Sequence, residues 1–240
     1  MATVDEIEVP VRLREKAYDK FKQHLLAREL RAGQFVSQRE LVKLTGLSLG
    51  AIRELIPRLE ADGLLKTVPQ RGLQIAHVDV NLIRDAFQYR LFLEREAVML
   101  FATNATSETV AELRRRHKKI IAECESTEKR KKPLTPELMD WAEETDFSLH
   151  RSIVDALGNA IISEAYRINH MKIRLIRQQQ TSFLDGRIVP AMKEHLAVLD
   201  AVGKRDVERA VDALTRHIRI AEDRALGRAA PDTERVNLVS

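Results

Sequence analysis

The segment from Ser37 to Leu64 constrains the fold most, because it has the pattern of two short helices joined by a glycine turn. Ser37 can cap the first helix, and Glu40 three residues later completes a capping box. Gly46 stands where the turn needs a positive φ, and Ser48 can cap the second helix. Such a pair can place its second helix in the major groove of DNA. The segment therefore predicts a helix-turn-helix that contacts double-stranded DNA.

A short β-hairpin is predicted directly after this helix pair. Residues 64–68 and 73–76 have the pattern of two short strands, and Pro69-Gln70-Arg71-Gly72 forms a turn with a basic tip between them. A hairpin at this position is the wing of a winged helix-turn-helix. A first helix is predicted from about Val11 to Ala27, and no other strands are expected.

From Asp79 onward the pattern is helical throughout. Six helices are predicted, with seven as the alternative count, at about 79–104, 107–132, 135–158, 159–183, 189–202 and 206–227. Short loops between them favour an antiparallel all-α bundle. We therefore expect a mainly α protein with a winged helix-turn-helix domain over 1–76 and a helical domain over 77–240.

The distribution of charge supports this division. Residues 12–76 carry 13 Lys/Arg against 7 Asp/Glu, whereas residues 77–240 carry 27 against 26. A basic N-terminal part beside a neutral C-terminal part fits one nucleic-acid-binding module and one module with another task. The cluster Lys129 to Lys132 is interpreted as a solvated loop rather than a second DNA contact.

Cysteine use and hydropathy indicate the compartment. The single cysteine, Cys124, cannot form an internal disulfide, which favours a reducing environment. No apolar run is long enough to span a bilayer, and the acidic N-terminus does not resemble a signal peptide. We expect a cytoplasmic protein.

Four residues of the C-terminal half form a candidate metal site. Asp146 and His150 are four residues apart and therefore share a face of the third bundle helix, and that face is mostly apolar. His195 and His217 lie on the apolar faces of the fifth and sixth helices. One carboxylate and three imidazoles can bind a divalent transition metal, with Zn favoured and Ni, Fe or Mn as alternatives.

The alternative for each histidine is a structural role, since a lone buried imidazole commonly satisfies a backbone carbonyl. Convergence of four such groups from three helices favours the metal. The remaining histidines lack this arrangement and are interpreted as surface or packing residues: His24, His77, His117 and His170.

A charged pair lies on the apolar face of the first bundle helix. Arg90 and Glu94 are one turn apart there. They form either a buried ion pair or part of an effector site in which Arg90 binds a ligand carboxylate through its planar fork. Arg174 is a weaker candidate of the same kind.

With both halves considered, the chain resembles the GntR family of bacterial transcription regulators, in particular the FadR branch with its all-helical FCD ligand-binding domain. The N-terminal resemblance rests on these motifs: Arg39-Glu40-Leu41, Gly46-Leu47-Ser48, Ile52-Arg53-Glu54, Arg58 to Leu64 and Arg71-Gly72. The C-terminal resemblance rests on these: Arg90 to Glu94, Asp146 to His150, Gly158-Asn159, Glu194-His195 and His217. The order Asp, His, His, His with spacings of 4, 45 and 22 is typical of the branch's metal site, and six bundle helices are similar to its VanR-like subgroup.

The resemblance implies that residues 77–240 form an effector-binding and dimerisation domain. It also implies a homodimer that binds a palindromic operator and is a repressor released by a small carboxylate metabolite at or near the metal. Carried over residue by residue, it implies DNA contacts from the following: Arg39, Ser48, Leu49, Gly50, Arg53, Arg71 and Gly72.

Two departures from the family pattern affect the predicted DNA-reading helix. Leu49-Gly50-Ala51 replaces the family's usual Arg-Thr-Pro, which removes a bidentate contact to a base or a phosphate, and Pro57 should bend the helix.

Two other classes of function are compatible with the ligand set. A metal-dependent hydrolase could use a metal-bound water, although no separate general base is evident among the inward polar residues. A metal-stabilised dimerisation module would bind no effector. We expect a non-enzymatic regulator.

Overall fold

The computed structural model describes residues 4–179 and 186–228, with side chains from residue 15 onward in those ranges. These ranges contain nine α-helices and three strands, in the following order: α1 (Val4–Leu26), β1 (Phe35–Val36), α2 (Gln38–Thr45), α3 (Leu49–Ala61), β2 (Leu65–Val68), β3 (Gly72–Ile75), α4 (Val80–Asn104), α5 (Ser107–Lys129), α6 (Pro136–Asp155), α7 (Ala160–Gln178), α8 (Ile188–Gly203) and α9 (Val207–Ala225). No helix in this part of the chain is long and apolar enough to cross a membrane.

The chain forms two compact units. The first comprises the described part of Met1–Leu82 together with His170–Gln179, and the second comprises Ile83–Asn169 and the described residues that follow 185. The division differs from the predicted boundary after residue 76, because the first turn of α4 and the last turns of α7 are grouped with the N-terminal elements.

The helix pair of the first unit is held by the caps that the sequence predicts. Ser37 Oγ accepts a hydrogen bond from the Glu40 amide at 3.1 Å, and the Glu40 carboxylate accepts one from the Ser37 amide at 2.6 Å. Gly46 ends α2 at φ +67°, and Ser48 Oγ accepts from the Ala51 amide at 3.2 Å. The serine caps therefore determine where α2 and α3 begin, and Gly46 determines where α2 ends.

A three-stranded antiparallel sheet completes the fold of the first unit, in the order β1-β3-β2. Phe35 pairs with Gln74 and Leu65 pairs with Ile75. The core of this unit consists of apolar side chains with at most 2% exposure, among them Phe21, Leu25, Leu41, Ile52, Leu55, Leu59, Leu64, Leu73 and Ile75.

The C-terminal turns of α7 satisfy the free carbonyls at the end of α1. Gln178 Nε2 donates to the Leu25 carbonyl at 2.9 Å, and Arg174 Nη2 donates to the Leu26 carbonyl at 3.4 Å. The last carbonyls of a helix have no partner within it, so these side chains stabilise that end of α1.

The second unit is a helical bundle in which α8 packs against α5, α6 and α9. Its interior consists of fully buried apolar side chains, among them Val98, Ala102, Ile120, Leu149, Ile153, Val198, Leu199, Val202, Leu214 and Ile218. Side-chain caps begin three of its helices: Asp79 Oδ1 accepts from the Leu82 amide, Thr135 caps α6 ahead of Pro136, and Asp206 caps α9.

The fold class predicted from the sequence is therefore confirmed, including six bundle helices in the described chain. Three details differ. Strand β1 was not expected, α1 begins at Val4 rather than near Val11, and α7 ends at Gln178. The predicted extension of that helix to Phe183 falls outside the described residues. Helix α3 is one continuous element through Pro57.

Candidate metal centre and nucleic-acid interface

The bundle brings the four predicted metal ligands together. Asp146 and His150 lie one turn apart on α6, His195 lies on α8 and His217 on α9. All four are buried, and one ligand atom from each lies within 4.8 Å of the others. The helical periodicity of three separate segments thus produces a single cluster.

The imidazole rings meet through their Nε2 atoms. His195 Nε2 lies 3.2 Å from His150 Nε2 and 3.1 Å from His217 Nε2. The Asp146 carboxylate lies 3.7 Å from His195 Nε2. Burial lowers the pKa of His195 well below its ordinary value, and burial lowers the pKa of His217 to about 4. Neutral imidazoles are the form that binds metal ions.

Two carboxylates determine which nitrogen of each ring faces the cluster. His150 Nδ1 donates to Glu94 at 2.6 Å, and His217 Nδ1 donates to Glu194 at 2.7 Å. Because an ionised carboxylate only accepts hydrogen bonds, Nδ1 carries the proton in both rings. Each neutral ring therefore directs an unprotonated Nε2 at the cluster. This carboxylate–histidine arrangement commonly orients metal ligands.

The donor set fits a divalent cation. Unprotonated nitrogens and a carboxylate held this close repel one another unless a positive charge lies between them. Three imidazoles and one carboxylate are suitable ligands for Zn, Ni, Fe or Mn. On this ground Asp146, His150, His195 and His217 would hold the ion.

Glu94 also binds the arginine of its own helix. Arg90 Nε donates to Glu94 Oε1 at 2.7 Å, and the Tyr166 hydroxyl donates to the same oxygen at 2.6 Å. Burial opposes the ionised carboxylate, but Arg90, His150 and Tyr166 together outweigh it and lower the pKa of Glu94 to about 2. Glu94 is thus engaged on both oxygens within the protein, as a partner of Arg90 and of the His150 ligand.

Arg90 itself lies against the cluster. It is 2% exposed, and its Nη2 lies 2.5 Å from His150 Nε2. Since that nitrogen is unprotonated, the guanidinium donates to the same lone pair that a metal ion would use. Arg90 therefore lies beside the cluster and also forms a buried ion pair with Glu94.

The other arginine candidate lies elsewhere. Arg174 is grouped with the first compact unit and donates to the Leu26 carbonyl. The four ligands all lie in the second unit. The effector-binding role of Arg174 and Glu94 stays a prediction, and the contacts of Glu94 add a role in orienting His150.

Several residues of the cluster were not singled out from the sequence. Arg187 donates to Glu194 through two nitrogens at 2.6 and 2.5 Å, and these contacts with that of His217 lower the pKa of Glu194 to about 2 despite its burial. His117 was interpreted as a surface or packing residue, yet its Nε2 lies 3.1 Å from His195 Nδ1. The sequence contains an indication that His117 faces inward, because it lies one helical turn from the buried Leu113.

The other three histidines lie outside the cluster. His24 pairs with Glu29 at 2.6 Å, and His77 is exposed. His170 is buried in the first unit. These positions agree with their interpretation as surface or packing residues.

The predicted DNA-contact residues of the helix pair are exposed. Arg39 lies on α2, and Ser48, Leu49, Gly50 and Arg53 lie at the start of α3. Gly50 has only the Ser48 hydroxyl near the place of a side chain, so this end of α3 presents an open backbone. The N-terminus of a recognition helix is the part that contacts base edges.

The tip of the β2–β3 hairpin carries the remaining two residues. The Arg71 guanidinium stacks over the Phe35 ring at 4.2 Å from its centre. Gly72 has φ +90°, and a side chain there would meet the Val36 carbonyl at 3.2 Å. The aromatic ring and the glycine together hold Arg71 at the surface of the wing.

Comparison with known proteins supports both halves of this description. The family profile described as bacterial regulatory proteins, gntR family, matches residues 13–75, and the FCD domain profile matches residues 85–220. The chain is 24% identical over 204 residues to the HTH-type transcriptional regulator BphR of Paraburkholderia xenovorans, covering 85% of this chain and 81% of that protein. It is also 24% identical over 205 residues to the HTH-type regulator YdhC of Bacillus subtilis, covering 83% and 85%.

Solved structures show the same fold. E. coli McbR/YncC superposes with a TM-score of 0.72 at 18% identity, over 90% of this chain and 97% of that one. A GntR transcriptional regulator from Rhodococcus sp. RHA1 also superposes with a TM-score of 0.72 at 18% identity, over 92% and 100%. Because one profile matches the winged helix-turn-helix and the other matches more than half of the chain, this protein is a transcriptional regulator of the GntR family with a C-terminal FCD domain.

Proposed function

We propose that this protein is a metal-dependent sensor of a small carboxylate metabolite that represses transcription, in the FadR branch and its VanR-like subgroup. The observation that carries the proposal is the convergence of Asp146, His150, His195 and His217 within 4.8 Å inside the FCD domain. A regulator needs a site whose occupancy can change, and this buried cluster with an adjacent arginine supplies one. The functional division follows the predicted domains, 1–76 for DNA and 77–240 for sensing and dimerisation.

The winged domain supplies the operator contacts. GntR regulators bind DNA, and here the exposed start of α3 and the wing tip present the side chains. Arg53 and Arg71 contribute positive charge, while Ser48, Leu49 and Gly50 bring the backbone close to the base edges. Arg39 contacts a phosphate from α2. Phosphate contacts position the domain, and the start of α3 specifies the sequence.

The FCD domain binds the effector through a metal ion and Arg90. A divalent ion, with Zn favoured, supplies Lewis acidity toward an anionic oxygen. Because His150 would use its Nε2 lone pair to hold the ion, Arg90 Nη2, which donates to that nitrogen here, would be available to donate to a carboxylate. The Arg90 fork suits a carboxylate because two parallel N–H groups match its two oxygens. Glu94 still accepts from Arg90 Nε, and Tyr166 donates to the same oxygen of Glu94.

The protein functions in the cytoplasm as a homodimer on a palindromic operator. Five of the seven exposed large apolar side chains of the described chain lie on α4, which supports this helix as the proposed dimer surface. Phe92 is 79% exposed, between Tyr89 and Met99 at helical spacing. Arg95 and Glu96 are exposed on the same helix, so two copies related by a two-fold axis can pair opposite charges beside the apolar stripe.

Metal binding and effector response can be tested on the full chain. Operator duplexes are first selected from a random pool on the purified protein, and DNA affinity is then measured by fluorescence anisotropy with a panel of carboxylates. We expect His195→Ala to lose Zn²⁺ binding in calorimetry and to lose the effector response. His77→Ala, at an exposed histidine, should retain both.

The Arg90→Lys variant distinguishes effector binding from metal binding. Lysine keeps the positive charge beside Glu94 but lacks the planar fork, so Zn²⁺ binding should persist while the carboxylate response weakens. A wild-type protein that binds no divalent metal would contradict the proposal. Chelation that lowers the melting temperature without altering the effector response would indicate a structural metal instead.

A further inference from the structure

His117 is a fully buried histidine that the proposed ligand set does not use. It is 0% exposed on α5, on the face that also carries the buried Leu113 and Ile120. Its ring lies edge-on to His195, with 5.1 Å between ring centres and 74° between planes. Both ring nitrogens have a partner, so its hydrogen-bonding state can be worked out.

The contact with the backbone determines the proton on His117. Nδ1 lies 2.7 Å from the Leu113 carbonyl oxygen. A carbonyl only accepts hydrogen bonds, so His117 Nδ1 carries the proton and donates it. In a neutral ring Nε2 is then unprotonated and can only accept.

The acceptor on His117 determines the proton on His195 in turn. His117 Nε2 lies 3.1 Å from His195 Nδ1, so His195 Nδ1 must donate. His195 Nε2 is left unprotonated, and this atom lies 3.2 Å from His150 Nε2 and 3.1 Å from His217 Nε2. The direction of hydrogen bonding therefore runs from His195 through His117 to the Leu113 carbonyl.

We propose that His117 is a positioning residue that holds His195 in its Nδ1-protonated tautomer and thereby presents Nε2 as a metal ligand. Glu94 has the same relation to His150, and Glu194 has it to His217. A neutral histidine in this place supplies the acceptor without adding a third orienting carboxylate to a buried cluster. All three ligand rings then coordinate through Nε2.

The inference rests on the proposed metal site, but its first test does not require metal. Long-range ¹H–¹⁵N spectra of the metal-free full chain report which nitrogen of each histidine is protonated. We expect His195 to carry its proton on Nδ1, whereas a neutral histidine in water favours Nε2–H. A wild-type spectrum showing His195 protonated on Nε2 would overturn the inference, whether or not the protein binds metal.

Two substitutions then separate orientation from packing. His117→Leu removes the acceptor, and we expect His195 to change tautomer and Zn²⁺ affinity in chelator competition to fall about 10- to 100-fold. His117→Gln can accept from His195 through its carbonyl and donate to Leu113 through its amide, so it should restore the Nδ1 tautomer and most of the affinity. Circular dichroism checks that both variants fold.

The outcomes distinguish the two proposals. Equal Zn²⁺ affinity and an unchanged His195 tautomer in folded His117→Leu would refute the positioning role. A wild-type chain that shows the Nδ1 tautomer yet binds no metal would uphold the hydrogen-bond relay and contradict the proposed function. Loss of affinity in both the Leu and the Gln variants with the tautomer unchanged would assign His117 to packing alone.

Discussion

Glu94 accepts hydrogen bonds from three side chains on three helices, namely Arg90, His150 and Tyr166. A fully buried carboxylate requires such partners, since an unpaired charge in the interior is costly. The same residue therefore balances the charge of Arg90 and fixes the His150 ring. Substitution of Glu94 should therefore change metal affinity more than substitution of an acidic residue at the surface.

Glu94→Gln is expected to lower Zn²⁺ affinity about 10- to 100-fold, as loss of an outer-shell partner does at other metal sites. The amide keeps the shape of the side chain but loses the charge that holds the His150 Nδ1 proton. Glu144→Gln, at an exposed position on the ligand-bearing α6, is the matched control. Equal affinities for the two variants in chelator competition would contradict the role given to Glu94.

The four proposed ligands could be identified from the sequence because each lies on the apolar stripe of its own helix. The groups that orient them could not be assigned in the same way. Helical spacing links Glu94 only to Arg90, one turn away. Glu194 directly precedes the proposed ligand His195, so the two side chains do not share a face of their helix. Their partners come from other helices, and pairings across helices depend on tertiary packing that periodicity does not specify.

Among the elements, the helices follow their caps closely because a cap is a local interaction within three or four residues. Strand β1 has only two residues, and its partner β3 lies almost forty positions further along the chain. A local sequence pattern does not specify pairing between residues so far apart. The backbone conformation of the wing, in contrast, is locally encoded by glycine.

Gly72→Ala should destabilise the winged domain by about 1–2 kcal/mol, because an L-residue at φ +90° is strained and its side chain would press on the Val36 carbonyl. Gly50→Ala provides the control within the same domain. It replaces a helical glycine with open space around it and should stabilise α3 by about 0.5–1 kcal/mol. Urea unfolding curves measure both changes. A neutral effect of Gly72→Ala would show that the wing can rearrange.

For the whole molecule, the exposed stripe on α4 predicts how subunits associate. Phe92→Glu places a charge at the centre of the proposed interface, where burial without a partner is unfavourable. We expect this variant to sediment as a monomer when the wild type sediments as a dimer. Ile161→Glu is the matched control, because Ile161 is even more exposed, at 82%, but lies on α7. Dissociation by both variants, or by neither, would place the interface elsewhere.

Leu49 places a hydrocarbon side chain at the start of α3, the helix proposed to contact DNA, where it is 37% exposed. Such a group has no donor or acceptor, so among the bases it can recognise only the C5-methyl group of thymine. The arginine usual at this place in the family could instead make a bidentate contact to guanine or to a phosphate. We therefore predict an A·T pair at the operator position that Leu49 contacts, so the target promoters would differ there from those that an arginine selects.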